Sequence, residues 1–121
     1  MLIQVLKSKI QHITVTESSM NYPGSISLTT ELMEASGIKQ FELVHVNNRT
    51  NGNRIITYAV RNKQKGQVTV NGAASKLFQK GDTIHVLAFA YLQDDEVDTF
   101  HPTIVIADDE NNVVEAKPYS L

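Results

Sequence analysis

Thr83-Ile84-His85-Val86-Leu87-Ala88-Phe89-Ala90-Tyr91 is the stretch that sets the fold class. Its apolar part, Val86 to Tyr91, belongs to the longest continuous apolar run in the chain. β-Branched and aromatic residues dominate it, which favours a strand. A run without polar interruption suits a central strand covered on both faces.

Other segments repeat the strand signal. Ile13 and Val15 alternate with Thr14 and Thr16, and Val44 and Val46 alternate with His45 and Asn47. Arg54 to Val60, Gln67 to Val70 and Thr103 to Ala107 are further β-rich runs. Val113 to Ala116 follows the polar stretch Asp108 to Asn112, a pattern that predicts a hairpin. One helix is expected between Thr29 or Thr30, which can cap its start, and Gly37, which can supply a left-handed stop. Leu32, Met33 and Ala35 give it an apolar side. A shorter helical turn is expected over Ala73 to Phe78, and the acidic segment Gln93 to Phe100 reads as a helical turn or a loop. Many short strands with few helices predict a mainly β domain, with barrel and sandwich equally open.

The 121 residues are one domain's worth, and 41% apolar content is that of a globular chain rather than a disordered one. A net charge of −2 without a basic run gives no attraction to nucleic acid. The absence of cysteine excludes disulfides, thiol catalysis and thiolate metal sites, and it fits a reducing, cytoplasmic setting. Met1 to Lys7 holds too short an apolar stretch for a signal peptide, and no run approaches a membrane span. The histidines His12, His45, His85 and His101 are scattered, which favours ordinary surface or half-buried roles over metal ligation. Phosphate-cradling glycine loops, dinucleotide fingerprints and paired-histidine helix motifs are absent.

Asn21-Tyr22-Pro23-Gly24-Ser25 is where chemistry is concentrated. Pro followed by Gly ordinarily reverses a chain. A second reading concerns the Gly24–Ser25 peptide bond. The Ser25 hydroxyl lies next to the Gly24 carbonyl, and glycine removes the side chain that would crowd an attack on it. The oxyanion so formed needs a pre-placed hydrogen-bond donor.

The position of Tyr22 to Ser25 relative to the N-terminus resembles the cleavage site of the pyruvoyl-dependent aspartate 1-decarboxylases. Lys9, Ala35-Ser36-Gly37-Ile38, Thr50-Asn51-Gly52-Asn53-Arg54, Thr57-Tyr58-Ala59, Val70-Asn71-Gly72-Ala73-Ala74 and Gly81-Asp82 follow the family's order. The similarity covers nearly the whole chain and weakens after about Thr103. It implies a double-psi β-barrel with one or two short helices, and a homotetramer with active sites between neighbouring subunits. It also implies maturation in which Ser25 attacks the Gly24 carbonyl to give an ester. Elimination then leaves dehydroalanine, and hydrolysis yields a pyruvoyl group and ammonia. Residues 1–24 become a small chain and 25–121 a large one.

The resemblance further implies conversion of L-aspartate to β-alanine and carbon dioxide through a Schiff base with the pyruvoyl group, for pantothenate synthesis, without metal or pyridoxal phosphate. Tyr58 matches the proton donor, and Arg54 matches a substrate-binding arginine whose planar fork suits a carboxylate. Lys9 supplies a second cation. Thr57 matches a residue near the Gly24 carbonyl that assists cleavage and contacts substrate, and Gly72, Ala73 and Ala74 match a substrate-contacting loop. In a regular strand Arg54 and Tyr58 share one face and Thr57 the other, so all three serve one pocket only if the strand bends or different subunits contribute.

There are departures from the family pattern. Pro23 precedes the cleavage glycine, Gln11 with His12 beside it stands where an early histidine is frequent, and Asn47 replaces a larger aromatic residue. The link from Tyr58 to Asn71 is one residue shorter than in some relatives. These bear on substrate affinity and on whether cleavage needs a maturation helper protein, while the choice of aspartate over glutamate turns on one methylene, worth only about 1–3 kcal/mol in a pocket. The rival reading is a non-catalytic β-barrel binding or assembly module.

Overall fold

The computed structural model describes residues 1–20 and 25–121. Tyr22, Pro23 and Gly24, and with them the turn and the cleavage glycine, lie outside the described residues. The rest is mainly β. Its strands are β1 Leu2–Thr14, β2 Glu17–Ser19, β3 Ser25–Thr29, β4 Leu43–Asn48, β5 Arg54–Asn62, β6 Thr69–Asn71, β7 Thr83–Gln93, β8 Thr103–Ala107 and β9 Val113–Pro118. Helix α1 spans Thr30–Ser36 and α2 spans Asp94–Val97, and a 3₁₀ turn covers Gly72–Leu77. Among the described residues these are three short helical segments, in keeping with a mainly β fold that has few helices. The doubtful acidic stretch after β7 begins as a helix because Gln93 and Glu96 form a reciprocal capping box.

The strands form one sheet in the order β2-β6-β3-β5-β4-β7-β1-β8-β9. Three pairs are parallel, β1 with β8, β2 with β6 and β3 with β5, and the remainder are antiparallel. The two ends of this order are tied together. Asn111, in the turn between β8 and β9, donates from Nδ2 to the carbonyls of Thr14 and Gly66, both at 2.9 Å, and accepts from the Thr14 N–H at 2.8 Å. Thr16 beyond β1 donates its N–H to the Val68 carbonyl at 2.8 Å. A sheet whose ends are joined becomes a barrel and removes the exposed edges of an open sheet.

Inside lie Ile10, Ile13, Ile26, Leu28, Val44, Val46, Val70, Ile84, Val86 and Val105, all fully buried. α1 closes against this core with Leu32 and Met33. Thr29 Oγ1 accepts the Leu32 N–H at 3.1 Å, and Gly37 ends the helix at φ 74°, as the sequence predicts.

β7 is central, between β4 and β1, but it is not covered on both faces. Ile84, Val86 and Ala88 are buried, whereas His85, Leu87 and Phe89 on the other face are only half-buried. Two strands exceed their sequence signal. β1 begins at Leu2, where its pairing with β7 starts, and irregularities between Leu6 and Ser8 and between Ile10 and Ile13 break the alternation that would mark it. β3 is short, and all five of its residues are buried.

Candidate active site

Ser25 opens β3, where it is 4% exposed. Two pairings fix its surroundings. β3 runs parallel to β5 with Ile26 opposite Ala59, both in the core. Side chains alternate across a strand, so the preceding residues Ser25 and Tyr58 both point away from the core and lie side by side. β3 is antiparallel to β6 with Ser25 directly opposite Asn71. Asn71 Nδ2 donates to Ser25 Oγ at 3.3 Å. Asn71 also precedes the 3₁₀ turn, but its side chain makes no capping bond there. That amide is directed at the serine instead.

Ser25, Tyr58 and Asn71, with Glu17, Phe41, Val60 and Thr69, line a cleft of about 490 Å³. Farther along β3, Ser27 hydrogen-bonds Thr69 and accepts from Asn62 Nδ2, so the polar groups on this face are paired. The Phe41 ring sits 6.3 Å from the Tyr58 ring at a 48° tilt. On its far side Phe41 joins Leu43, Ile56, Thr57 and Tyr58 around a second, largely apolar groove of about 540 Å³. Phe41, Leu43 and Ile56 are 69%, 58% and 64% exposed.

The cations predicted to bind substrate lie elsewhere. Arg54 starts β5 opposite Asn47, and Asn47 lies opposite His85 of β7. Lys9 lies opposite Leu87, and Leu87 opposite His45, which pairs with Ile56. Lys9 is therefore three strands from β5, about 14 Å in backbone spacing. Neither Lys9 nor Arg54 lines the Ser25 cleft. Arg54 and Tyr58, four residues apart along one strand, are about 13 Å apart.

Lys9 instead belongs to a cationic corner. His12, at φ 63° in the β1 irregularity, takes part through Nδ1 in a 3.0 Å hydrogen bond with Arg49 Nη1 and meets the His85 ring edge-on at 5.3 Å. The rigid turn after β4 positions Arg49: its N–H donates to the Thr83 carbonyl, and buried Asn48 accepts from the Thr50 N–H at 3.0 Å. Burial lowers the His85 pKa from 6.5 to about 4, helped by the charges of Lys9, His12 and Arg49. His85 is thus neutral at pH 7, in keeping with its buried Nε2, which has no hydrogen-bond partner. Among the described residues the ion pairs join Lys7 to Glu42 and Lys117 to Glu115, so Lys9, Arg49 and Arg54 face no carboxylate at bridging distance.

The fold thus brings together Ser25 and Tyr58 of the predicted set. Thr57 lies opposite Val44, on the other face of β5 from Tyr58, and lines the apolar groove rather than the cleft. Gly72 is buried at φ 73°, Ala73 is exposed and Ala74 half-buried; they form the turn that follows Asn71 and do not line the cleft. Sequence reasoning quoted Asn71 only as part of that loop and passed over Phe41. The alternation Val68-Thr69-Val70-Asn71 puts Asn71 on the polar face, but nothing local says which strand it meets.

The aspartate decarboxylase family model matches residues 1–114. The aspartate 1-decarboxylase of Caldicellulosiruptor saccharolyticus is 47% identical over 115 residues, covering 94% of this chain and 90% of the relative. Those of Acaryochloris marina and Clostridium botulinum strain Loch Maree are 42% and 40% identical over 114 and 120 residues, with 87% and 94% of their own lengths covered. With a family match over nearly its whole length and relatives of this similarity, the chain belongs to the aspartate decarboxylase family.

Proposed function

We propose that this chain cuts itself between Gly24 and Ser25 and then removes the α-carboxylate of L-aspartate, giving β-alanine for pantothenate synthesis and carbon dioxide. The observation that carries the reading is Ser25 itself: a buried serine at a strand start, touched by the Asn71 amide and sharing a cleft with Tyr58. The decarboxylase names of the relatives weigh against a non-catalytic binding module.

The site fits a pyruvoyl group made from Ser25. The position is shielded, it opens onto a cavity of substrate size, and Asn71 and Tyr58 would flank the group. Such a group supplies an electron sink for the pair left behind by carbon dioxide. The chain's own residues do the rest. The Asn71 amide restrains the Ser25 hydroxyl before cleavage. Tyr58, on the same face, can return a proton to the substrate α-carbon. Val60 and Phe41 give the cleft apolar walls that limit water.

A substrate with two carboxylates also needs cations, and none of the described residues lining the Ser25 cleft is one. Lys9 and Arg54 are unpaired by carboxylates and lie at the far side of the same outer face. We therefore place the complete site between copies of the chain, where one copy brings Ser25 and Tyr58 and a neighbour brings Lys9 and Arg54. The exposed groove of Phe41, Leu43 and Ile56 beside Tyr58 supports such packing in a homotetramer. A cysteine-free chain suits the reducing cytoplasm.

Intact-mass measurement on purified protein tests the first half. The expected result is two fragments, 1–24 and 25–121, the larger blocked by pyruvoyl; a helper protein enters if cleavage needs added cell extract. Mixing tests the second half. Tyr58→Phe and Arg54→Ala subunits are each expected to be impaired alone, and co-assembled they regain activity because some interfaces unite two intact halves. No recovery in mixed oligomers would place the whole site within one copy.

A further inference from the structure

We propose that Phe41 is a positioning residue for Tyr58, an inference that rests on the decarboxylase reading above. Phe41 has φ 67°. The left-handed region is a rare setting for a bulky side chain, and the other described residues there are glycines such as Gly37, Gly52 and Gly81 together with His12 and Asn111, whose polar side chains are hydrogen-bonded. Burial within the protomer does not account for this conformation, because the ring is 69% exposed.

The backbone is nevertheless held from several sides. Phe41 donates its N–H to the Ala59 carbonyl at 2.8 Å, and Ala59 donates back to the Glu42 carbonyl at 2.9 Å. Both bonds reach the residue next to Tyr58. The Glu42 carboxylate is gripped by Lys7 Nζ, 2.9 Å from each oxygen, and it accepts the Lys39 N–H at 3.0 Å. Strain maintained by this many contacts typically marks a functional constraint. Its product is a fixed ring 6.3 Å from the Tyr58 ring that lines the Ser25 cleft on one side and the apolar groove on the other. Without this wall the Tyr58 ring can swing toward the groove, and proton delivery is sensitive to such a shift.

Phe41→Gly and Phe41→Trp test the assignment in the self-cleaved, assembled protein, with Tyr58 followed by NMR in tyrosine-labelled material. The glycine variant is expected to cleave, to assemble, and to melt within a few degrees of the parent, because glycine accepts the left-handed backbone. Its kcat for L-aspartate should fall about tenfold while KM moves less than about threefold. The Tyr58 ring signal should shift. Phe41→Trp, which keeps a flat ring, should restore both kcat and the signal. Parent-like kcat in the glycine variant, or equal losses in both variants, overturns the proposal. So does failure of the glycine variant to cleave or assemble, which would assign the ring to maturation or subunit packing. An unmutated protein that stays intact and inactive sinks the decarboxylase reading instead, and the Tyr58 signal still decides whether Phe41 holds that ring.

Discussion

The Ser25 cleft and the corner around Lys9 lie on the outer face of one sheet and are built in opposite ways. The cleft joins a buried serine, an amide, a phenol and the Glu17 carboxylate, with no cation among the described residues that line it. The corner gathers Lys9, Arg49, His12 and His85 with no carboxylate among them. Under the proposed function the first region would make and use a reactive carbonyl and the second would hold an anion. Each lacks what the other has. The difference teaches that, under the proposed function, a dicarboxylate needs both regions, and for that reason we propose that the site forms between copies of the chain.

Each end can be broken separately. Ser25→Ala should have the largest effect: no cleavage by intact mass and no measurable turnover, since both depend on one hydroxyl. Tyr58→Phe should leave cleavage intact and lower kcat by about 10²–10⁴-fold, the range of a lost general acid. Unchanged turnover would remove Tyr58 from the role. Arg54→Ala attacks the other end, and cleavage should proceed normally. KM for L-aspartate should rise about 10–100-fold with a smaller change in kcat, the pattern of lost substrate binding. A defect in cleavage would instead tie Arg54 to maturation.

The smallest expected effect concerns stability. Burial first, and then Lys9, His12 and Arg49, hold the His85 pKa at about 4 rather than 6.5. Between these values the unfolded chain binds a proton that the folded chain refuses. The contribution of neutral His85 is therefore complete above pH 6.5 and is lost as the pH falls toward 4. In melting curves at pH 7, 5.5 and 4.5, His85→Gln should lose less stability on acidification than the parent. Equal slopes would mean that the corner is open enough for His85 to titrate normally.

Local signals were legible where local physics decides. Thr29 and Gly37 bracket α1 because a cap and a stop act within a few residues. The Asp108 to Asn112 turn and the strands on either side of it stand where their residue types put them. β1 escaped notice from Leu2 onward because its irregularities shift the alternation twice. β3 does alternate Ile26 and Leu28 with Ser25, Ser27 and Thr29, but five residues ending at a helix cap are a short sample of that pattern. Arg54, Thr57 and Tyr58 did keep the alternation expected of a regular strand, which left Thr57 outside the cleft.

From the sequence alone came the β-rich class, the helix with both its ends, and, through the family resemblance, Ser25 and Tyr58 as the residues to watch. Periodicity and capping are properties of neighbouring residues, so they survive without coordinates. The tertiary structure decided that Asn71 meets Ser25, that Phe41 stands over Tyr58, and that Lys9 and Arg54 sit apart from the cleft. Those facts follow from strand partners and register across dozens of residues, and registers are chosen by packing of the whole barrel rather than by any one segment.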